Sequence, residues 1–340
     1  MKAVFLVKEG NAAQAFEIRE TAKPSIAFGD DILIKVEAFG LNYADVMARH
    51  GQYKEAPPLP SIIGYEVVGI IEAVGKDIDQ NLIGKRVVGF TRFGGYAEYA
   101  ITKSFGMVVV DDMEAGIALS IATQYVTAYY MAYQATNLMA GDKVMIHAGA
   151  GGVGTALIQL CKLKGCEIYA NAGSQEKLDY IKKQGADHVI NYRTHDYAAE
   201  INKLLPEERL DCTFNPIAGS TYKKDFGLIG SGGRVILFGG SELSGTKFGI
   251  LSSLNFIRKM GFLLPIGLMM RSKSIIGVNM LKIGDNKPKL LHKCLQEVTQ
   301  LIKDGKVHPH IGGTFNVADV AKAHEFLGSR NSIGKVIVNW

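Results

Sequence analysis

The run HAGAGGVGTA, residues 147 to 156, places Gly149, Gly151, Gly152 and Gly154 within six positions and fits the spacing G-x-G-x-x-G. Such glycines can do one kind of chemistry well. Gly149 permits a tight turn, Gly151 lets backbone approach a pyrophosphate, and Gly154 lets a helix pack on the preceding strand. Gly152 and Val153 complete the loop. A helix starting here adds unpaired N–H groups and a partial positive charge, both suited to an anion. A lone match carries little weight, but this one follows the strand-like KVMIHA and opens a helical pattern. A mere strand-to-helix turn needs fewer glycines.

The nucleotide is read further along. A ribose with a free 2′-hydroxyl calls for Asp or Glu roughly 20 residues on. The chain has Ala170-Asn171-Ala172-Gly173-Ser174 there, with Lys177 one turn into the next helix. A carboxylate would repel a 2′-phosphate, so the missing acid favours NADP over NAD. Lys177 alone reads as a solvated surface lysine and gains weight only from that gap.

Other chemistries are poorly supplied. The cysteines are Cys161, Cys166, Cys212 and Cys294, without the spacing of a disulfide framework, which fits a reducing, cytoplasmic compartment. None precedes Cys161, so the first domain can build neither a thiolate catalytic zinc site nor a four-cysteine site, and no metal is expected. His308 and His310 flank Pro309 without a third ligand and read as loop histidines. With 38 basic against 33 acidic residues, net +5 and no basic block, neither nucleic acid nor an anionic membrane is indicated as the main partner.

Two domains are expected to position these residues, because 340 residues exceed the usual reach of one core. The first 120 or so are strand-rich: KAVFLV, DILIKVEAFG, GYEVVGIIEAV, KRVVGF, YAEYAIT and MVVV read as a β barrel or sandwich. The opening apolar run is too short for a signal-peptide core and reads as a first strand. From residue 143, KVMIHA, CEIYANA, HVINY, LDCTFNPI, RVILFGG and SIIGVNM alternate with helical patterns, which predicts an α/β doubly wound parallel sheet. Val153, Leu157, Leu160 and Lys164 share a helical face ending at Gly165, and Ser174 can cap a helix whose Leu178 and Ile181 point inward. KPKLLHKCLQEVTQLIKDGK predicts a helix between Pro288 and Gly305, after which the chain returns to the first domain as strand. Residues 248 to 270 are long enough to span a membrane but carry Arg258 and Lys259 centrally, so no transmembrane segment is expected. One or two buried or pocket-lining helices broken at Pro265 are the preferred reading. A surface docking on lipid or another subunit is the lesser one.

GLNYADVMARHGQY (40 to 53), PPLPSIIGYEVVGII (57 to 71), GGYAEYA (94 to 100), HAGAGGVG and INYR (190 to 193) together resemble, across essentially the whole chain, the medium-chain dehydrogenase/reductase superfamily. Within it the chain looks like the quinone oxidoreductases without zinc, and ADVMARHGQY with the insert before SIIGVNM is most similar to the vesicle amine transport protein 1 branch. The resemblance implies a GroES-like catalytic domain from residues 1–122 and 287–340, a Rossmann domain from 123–286, and NADPH held in the cleft. Zinc relatives place a cysteine near 42 and Gly-His-Glu at 64 to 66, where this chain has Asn42 and Gly64-Tyr65-Glu66. Glu66 is expected to be a partly buried structural acid.

By the same resemblance Asn42, Asp45 and Tyr53 lie near the nicotinamide and Thr127 contacts its carboxamide. The loop from Gly149 to Gly154 takes the pyrophosphate, and Ser174, Lys177 and Tyr192 surround the 2′-phosphate and adenosine ribose. Asn215, Phe238 and Gly239 flank the nicotinamide ribose, and Lys335 is a further cofactor contact or else a surface strand residue. On residue type alone Asn42 suits a turn or cap, Asp45 a helix cap, and Tyr53 simple packing. Met47 stands where several relatives carry tyrosine.

The expected activity is NADPH-dependent reduction of a quinone or an α,β-unsaturated carbonyl by direct hydride transfer, with Tyr53 or Asn42 donating to the developing oxyanion. The alternative is an NADPH-binding protein with mainly an interaction or membrane-associated adaptor role. Zinc-free enoyl-thioester reduction is a third, without a basic groove to support it. A homodimer is expected through an edge strand such as SIIGVNM.

Overall fold

The computed structural model describes residues 1–243 and 249–340. The chain forms two compact units, Met1–Thr127 with Met280–Trp340, and Ala128–Asn279.

Among the described residues fifteen strands follow in order. Lys2–Leu6 (β1), Phe16–Glu20 (β2), Asp31–Leu41 (β3), Glu66–Val74 (β4), Arg86–Phe90 (β5), Tyr99–Lys103 (β6) and Met107–Val109 (β7) precede a helical run from 115 to 134. Lys143–Ile146 (β8), Glu167–Ala172 (β9), His188–Asn191 (β10), Leu210–Asn215 (β11), Ile229–Leu237 (β12) and Ser274–Gly277 (β13) come next. Ile311–Asn316 (β14) and Lys335–Asn339 (β15) close the chain.

In the first unit β3 is the central strand. Its DILIKVEAFGL is buried at nine of eleven positions, the pattern of a strand covered on both faces. It pairs antiparallel with β4, β6 and β15, in a sheet ordered β14-β15-β3-β4-β5-β7. The last strand thus returns to the first: Val336 lies opposite Leu41 and Ile337 opposite Gly40. Ile32, Phe39, Leu41, Ile63, Val67 and Val336 form part of one core, each fully buried side chain contributing roughly 1.5–3 kcal/mol. The helix Pro288–Lys303 begins with its proline and buries Leu291, Cys294 and Val298, and Gly305 follows it at φ 65°.

The β1–β2 ribbon holds a strand that periodicity does not reveal. FEIRE leaves four of five residues exposed, so it has no buried face to betray it.

The second unit is a six-stranded, all-parallel sheet ordered β10-β9-β8-β11-β12-β13, a doubly wound α/β sheet. The first strand in sequence, β8, lies between β9 and β11, so strand order reverses there. Open parallel sheets bind ligands outside the carboxyl ends of strands at such a point, where His147, Asn171 and Asn215 stand.

The stretch before β13 departs from expectation. It does break at Pro265, into helices Gly249–Met260 and Pro265–Arg271. Its described side chains are not buried, however: Leu264 is 69%, Met269 68% and Met270 78% exposed, and Phe262 fully so. Phe248, with the side chains of 249–251 and 253, lies outside the described residues. Among the described residues no helix is long and apolar enough to cross a membrane.

Candidate functional site

The glycine loop is shaped by hydrogen bonds to one neighbour. Ala148 adopts φ 53°, uncommon for a residue with a side chain. Its N–H donates to Asn171 Oδ1 at 3.1 Å, and the Gly149 N–H to the Asn171 carbonyl at 3.0 Å. Gly151 caps the helix Gly152–Leu163, its own N–H donating to the Ala148 carbonyl at 2.9 Å. The N–H groups of Gly152, Val153 and Gly154 fall in the first turn, where helix geometry provides no acceptor.

The glycines have different reasons to be there. A Cβ on Gly154 would strike the Ala148 carbonyl and come 2.8 Å from Gly149 Cα, so the fold itself forbids one. A Cβ on Gly149 would press on Ala170, Ile181 and Ile158 at 3.3–3.4 Å. At Gly151 it would meet only the Ala148 carbonyl, at 3.3 Å. The fold barely requires glycine at 151, and what its absent side chain keeps open is the approach to the three free amides.

At the end of β9 no carboxylate occurs in Ala172, Gly173 or Ser174. Ser174 caps the helix Gln175–Lys183, its Oγ accepting from the Lys177 N–H at 3.4 Å, with Leu178 and Ile181 buried beneath. Tyr192 follows β10, and its N–H donates to the Ala172 carbonyl at 3.2 Å. A Cβ on Gly173 would lie 2.7 Å from Tyr192 Oη and 3.1 Å from Arg193 Nε. Ser174, Lys177, Tyr192 and Arg193 therefore gather at one corner. Burial lowers the Lys177 pKa and the Arg193 charge adds to this, against an opposing effect of Glu176. Two cations beside a strand end that carries no acid favour an anion, with Glu176 of the following helix opposing them. Arg193 is a member of this corner that the motif reading does not include, although it ends the INYR run, where a second cation next to Tyr192 is the signal.

Asn215, Phe238 and Gly239 also come together. The Phe238 N–H donates to the Asn215 carbonyl at 3.2 Å, and a Cβ on Gly239 would sit 2.6 Å from the Pro216 carbonyl oxygen. The Asn215 side chain is wholly engaged within the protein. Its Nδ2 donates to Asp225 at 2.6 Å and Thr221 at 2.8 Å, and its Oδ1 accepts from the N–H groups of Ile217 and Ala218, each at 2.8 Å. Direct contact between that amide and a ligand is thus replaced by bracing of the loop that follows β11.

In the first unit Asn42 and Asp45 frame one helix. Asn42 caps Tyr43–Arg49, and Asp45 accepts from the Asn42 N–H at 2.8 Å. Burial lifts the Asp45 pKa to about 7, with Glu66 adding to the rise and the Asn42 N–H and Lys335 opposing it. Tyr53 is partly exposed; its ring meets Tyr65 edge-on at 6.1 Å between centroids, and burial raises the pKa of its hydroxyl. Thr127 is buried in the four-residue helix Val126–Tyr129, between two wide turns at Ile121–Tyr125 and Tyr130–Gln134. Such wide turns occur often at functional sites.

Lys335 is neither a surface strand residue nor open to a ligand. It is fully buried and ion-paired to fully buried Glu66, and its Nζ also donates to Asn42 Oδ1 and the Leu41 carbonyl, each at 3.2 Å. The cause is the return of β15 beside β3, which carries its first residue into the sheet interior. Glu66, expected to be only partly buried, also accepts from Asn42 Nδ2 at 2.8 Å. Gly40 makes the arrangement possible, because a Cβ there would collide with Glu66 Oε1 and the end of Lys335. Among the described residues no three of His, Cys, Asp or Glu cluster as a metal site. All four cysteines are free and buried.

Comparison with known proteins adds to this geometry. The pattern described as "Alcohol dehydrogenase GroES-like domain" matches residues 29–112, and that described as "Zinc-binding dehydrogenase" matches residues 152–297. The human protein named "Quinone oxidoreductase" is 31% identical over 99% of this chain and 97% of its own. A zebrafish protein named "Synaptic vesicle membrane protein VAT-1 homolog" is 31% identical over 93% of this chain, which spans 65% of that relative's length. A mycobacterial protein solved in complex with NADPH superposes with a TM-score of 0.84 at 25% identity, covering 100% of both chains.

Proposed function

Because the chain belongs to the quinone oxidoreductase family of the medium-chain dehydrogenase/reductase superfamily, we propose that it catalyses NADPH-dependent reduction of a quinone or an α,β-unsaturated carbonyl without zinc. The observation that carries the cofactor assignment is the corner formed by Lys177, Arg193, Tyr192 and Ser174, where β9 ends without an acid. These residues would hold a 2′-phosphate. The first-turn amides from Gly152 to Gly154, reached over Gly151, would hold the pyrophosphate, while Phe238 and Gly239 would flank the nicotinamide ribose and Thr127 would meet the carboxamide. When bound, NADPH supplies the hydride directly to the substrate.

The protein's own task is to place donors where negative charge develops. Tyr53 suits this, since burial favours the protonated hydroxyl. Asn42 retains one N–H beyond the bond it gives Glu66. Asp45 holds Asn42 in place through its backbone. Independence from zinc rests on Lys335, whose ammonium occupies the Glu66 carboxylate beside Asn42 and so takes up an acid there that could serve as a ligand. A quinone is already electrophilic and tolerates the lack of a Lewis acid, unlike a simple alcohol. The four unbridged thiols suit a reducing, cytoplasmic setting, and the edge of β13, unpaired among the described residues, suits a homodimer.

Fluorescence titration with NADPH and NADH, on protein of measured metal content, followed by turnover of a quinone and enone panel, tests this reading. Tighter NADPH binding with quinone or enone turnover is expected; preference for NADH, or stoichiometric zinc, overturns it. A second reading, an NADPH-binding protein acting mainly through an interaction or membrane-associated surface, is favoured by the exposed Phe262, Leu264, Met269 and Met270. NADPH binding without turnover, together with flotation on anionic vesicles, would favour it over catalysis.

A further inference from the structure

We infer that His147, buried behind the glycine loop, is a positioning residue that sets the affinity of that loop for a dinucleotide by tying the carboxyl ends of β8, β9 and β11 to one carboxylate, Asp225. The inference rests on the proposed dinucleotide site and adds residues that do not touch the ligand.

His147 and Asp225 have no exposed side-chain surface. His147 Nε2 lies 2.9 and 3.0 Å from the two Asp225 oxygens. The same carboxylate accepts from the Tyr197 hydroxyl at 2.8 Å and from Asn215 Nδ2 at 2.6 Å. On the other side of the ring, His147 Nδ1 faces Asn171 Nδ2 at 3.0 Å.

The proton positions follow from the donors alone. The Ala148 N–H can only donate, so the Asn171 atom facing it is Oδ1 and the atom facing His147 is Nδ2. An amide nitrogen can only donate, so Nδ1 accepts and the ring proton sits on Nε2, directed at Asp225. Every hydrogen bond in the chain then has one donor and one acceptor. The network runs from Ala148 through Asn171, His147 and Asp225 to Asn215, which accepts from the Ile217 and Ala218 amides.

Both outer ends of this network shape loops assigned to the ligand. Asn171 takes up the first two loop amides and holds Ala148 in its left-handed conformation, which sets the first turn of the following helix. Asn215 braces the loop next to Phe238 and Gly239. Buried polar networks are rigid when fully satisfied and costly when partly broken. Cutting this one at His147 should therefore loosen the pyrophosphate and nicotinamide-ribose contacts, leaving the Lys177 and Arg193 corner intact.

The test is titration of the full chain with NADPH and with adenosine 2′,5′-bisphosphate, which carries the 2′-phosphate but neither the pyrophosphate bridge nor the nicotinamide end, alongside thermal unfolding. His147→Phe fills the space and deletes both bonds; His147→Gln keeps a donor and an acceptor. We expect His147→Phe to weaken NADPH about tenfold, since only part of the cost of breaking the two buried bonds falls on the ligand loops, with bisphosphate binding within about twofold of the parent and His147→Gln recovering most of the loss. Unchanged NADPH affinity in folded His147→Phe overturns the inference. So does equal weakening of both ligands, in either variant, because that signals general destabilisation. If the parent protein binds no NADPH, the dinucleotide reading itself fails, and the two failures are distinct.

Discussion

Asp45 shows how a single side chain can serve structure and still carry a measurable signature. Its carboxyl is fully buried, accepts from the Asn42 N–H, and has a pKa near 7 instead of the ordinary 3.8. The native state therefore binds more protons than the unfolded chain between those two values. Stability contributed by the protonated acid is complete below the unfolded value and falls as pH rises through about 7, by up to about 4 kcal/mol. Asp45→Asn mimics the protonated form, so between about pH 5 and about pH 8 its melting temperature should fall less than that of the parent. Parallel curves would remove Asp45 from the account. Lys335 makes a second residue-scale case. Lys335→Met strands the Glu66 charge and should cost about 3–5 kcal/mol in denaturant unfolding, while adding Glu66→Gln should recover much of it. At the nucleotide corner, Lys177→Ala and Arg193→Ala should each weaken NADPH about tenfold and leave NADH nearly unchanged, since a charged hydrogen bond contributes about 1.5–3 kcal/mol. Equal loss for both cofactors would refute the assignment.

At the scale of elements, the glycine loop separates what the fold needs from what a ligand needs. Gly154→Ala forces a Cβ into the Ala148 carbonyl and should destabilise the protein by about 1–3 kcal/mol. Gly151→Val should leave the melting temperature within a few degrees of the parent and weaken NADPH strongly, because its side chain covers the first-turn amides. If the two variants behaved alike, that division would be wrong. The difference is also where sequence reading stops. Twelve strand-like runs were legible because buried strands are written in β-branched residues between turn signals, and the loop was legible because strand and helix patterns flank it. FEIRE was not, since this outer strand of the ribbon exposes four of its five residues and leaves no buried face to pattern. Nor was the fate of Lys335: a lysine at the head of a strand looks solvated until Gly40 and Glu66, distant in sequence, are seen to make room and supply charge. The Asp225 network was equally hidden, because His147 and Ala148 of the glycine motif meet Asn171, Tyr197, Asn215 and Asp225 from four other segments, and no spacing in the sequence links them.

For the whole molecule the unresolved demand is the apolar surface before β13. Leu254, Ile257, Leu264, Met269 and Met270 are more than half exposed, and contiguous patches of this kind on a monomer usually mark an interaction site. The sequence continues directly into β13, whose outer edge has no neighbour in the sheet order among the described residues. A free edge is a template for another strand, and a second copy pairing there would bring its own chain beside the same side chains. We therefore expect a homodimer of twice 36.9 kDa by light scattering, and conversion to monomer by the triple change Leu264→Glu, Met269→Glu and Met270→Glu without loss of NADPH affinity. The surroundings offer a competing occupant, because no acidic residue occurs between Glu242 and Asp285 while Arg258, Lys259, Arg271 and Lys273 do. An anionic membrane would find both apolar and basic groups there. A triple variant that remains dimeric but no longer floats with anionic vesicles would assign the surface to lipid, and dimerisation would then have to be sought elsewhere on the chain.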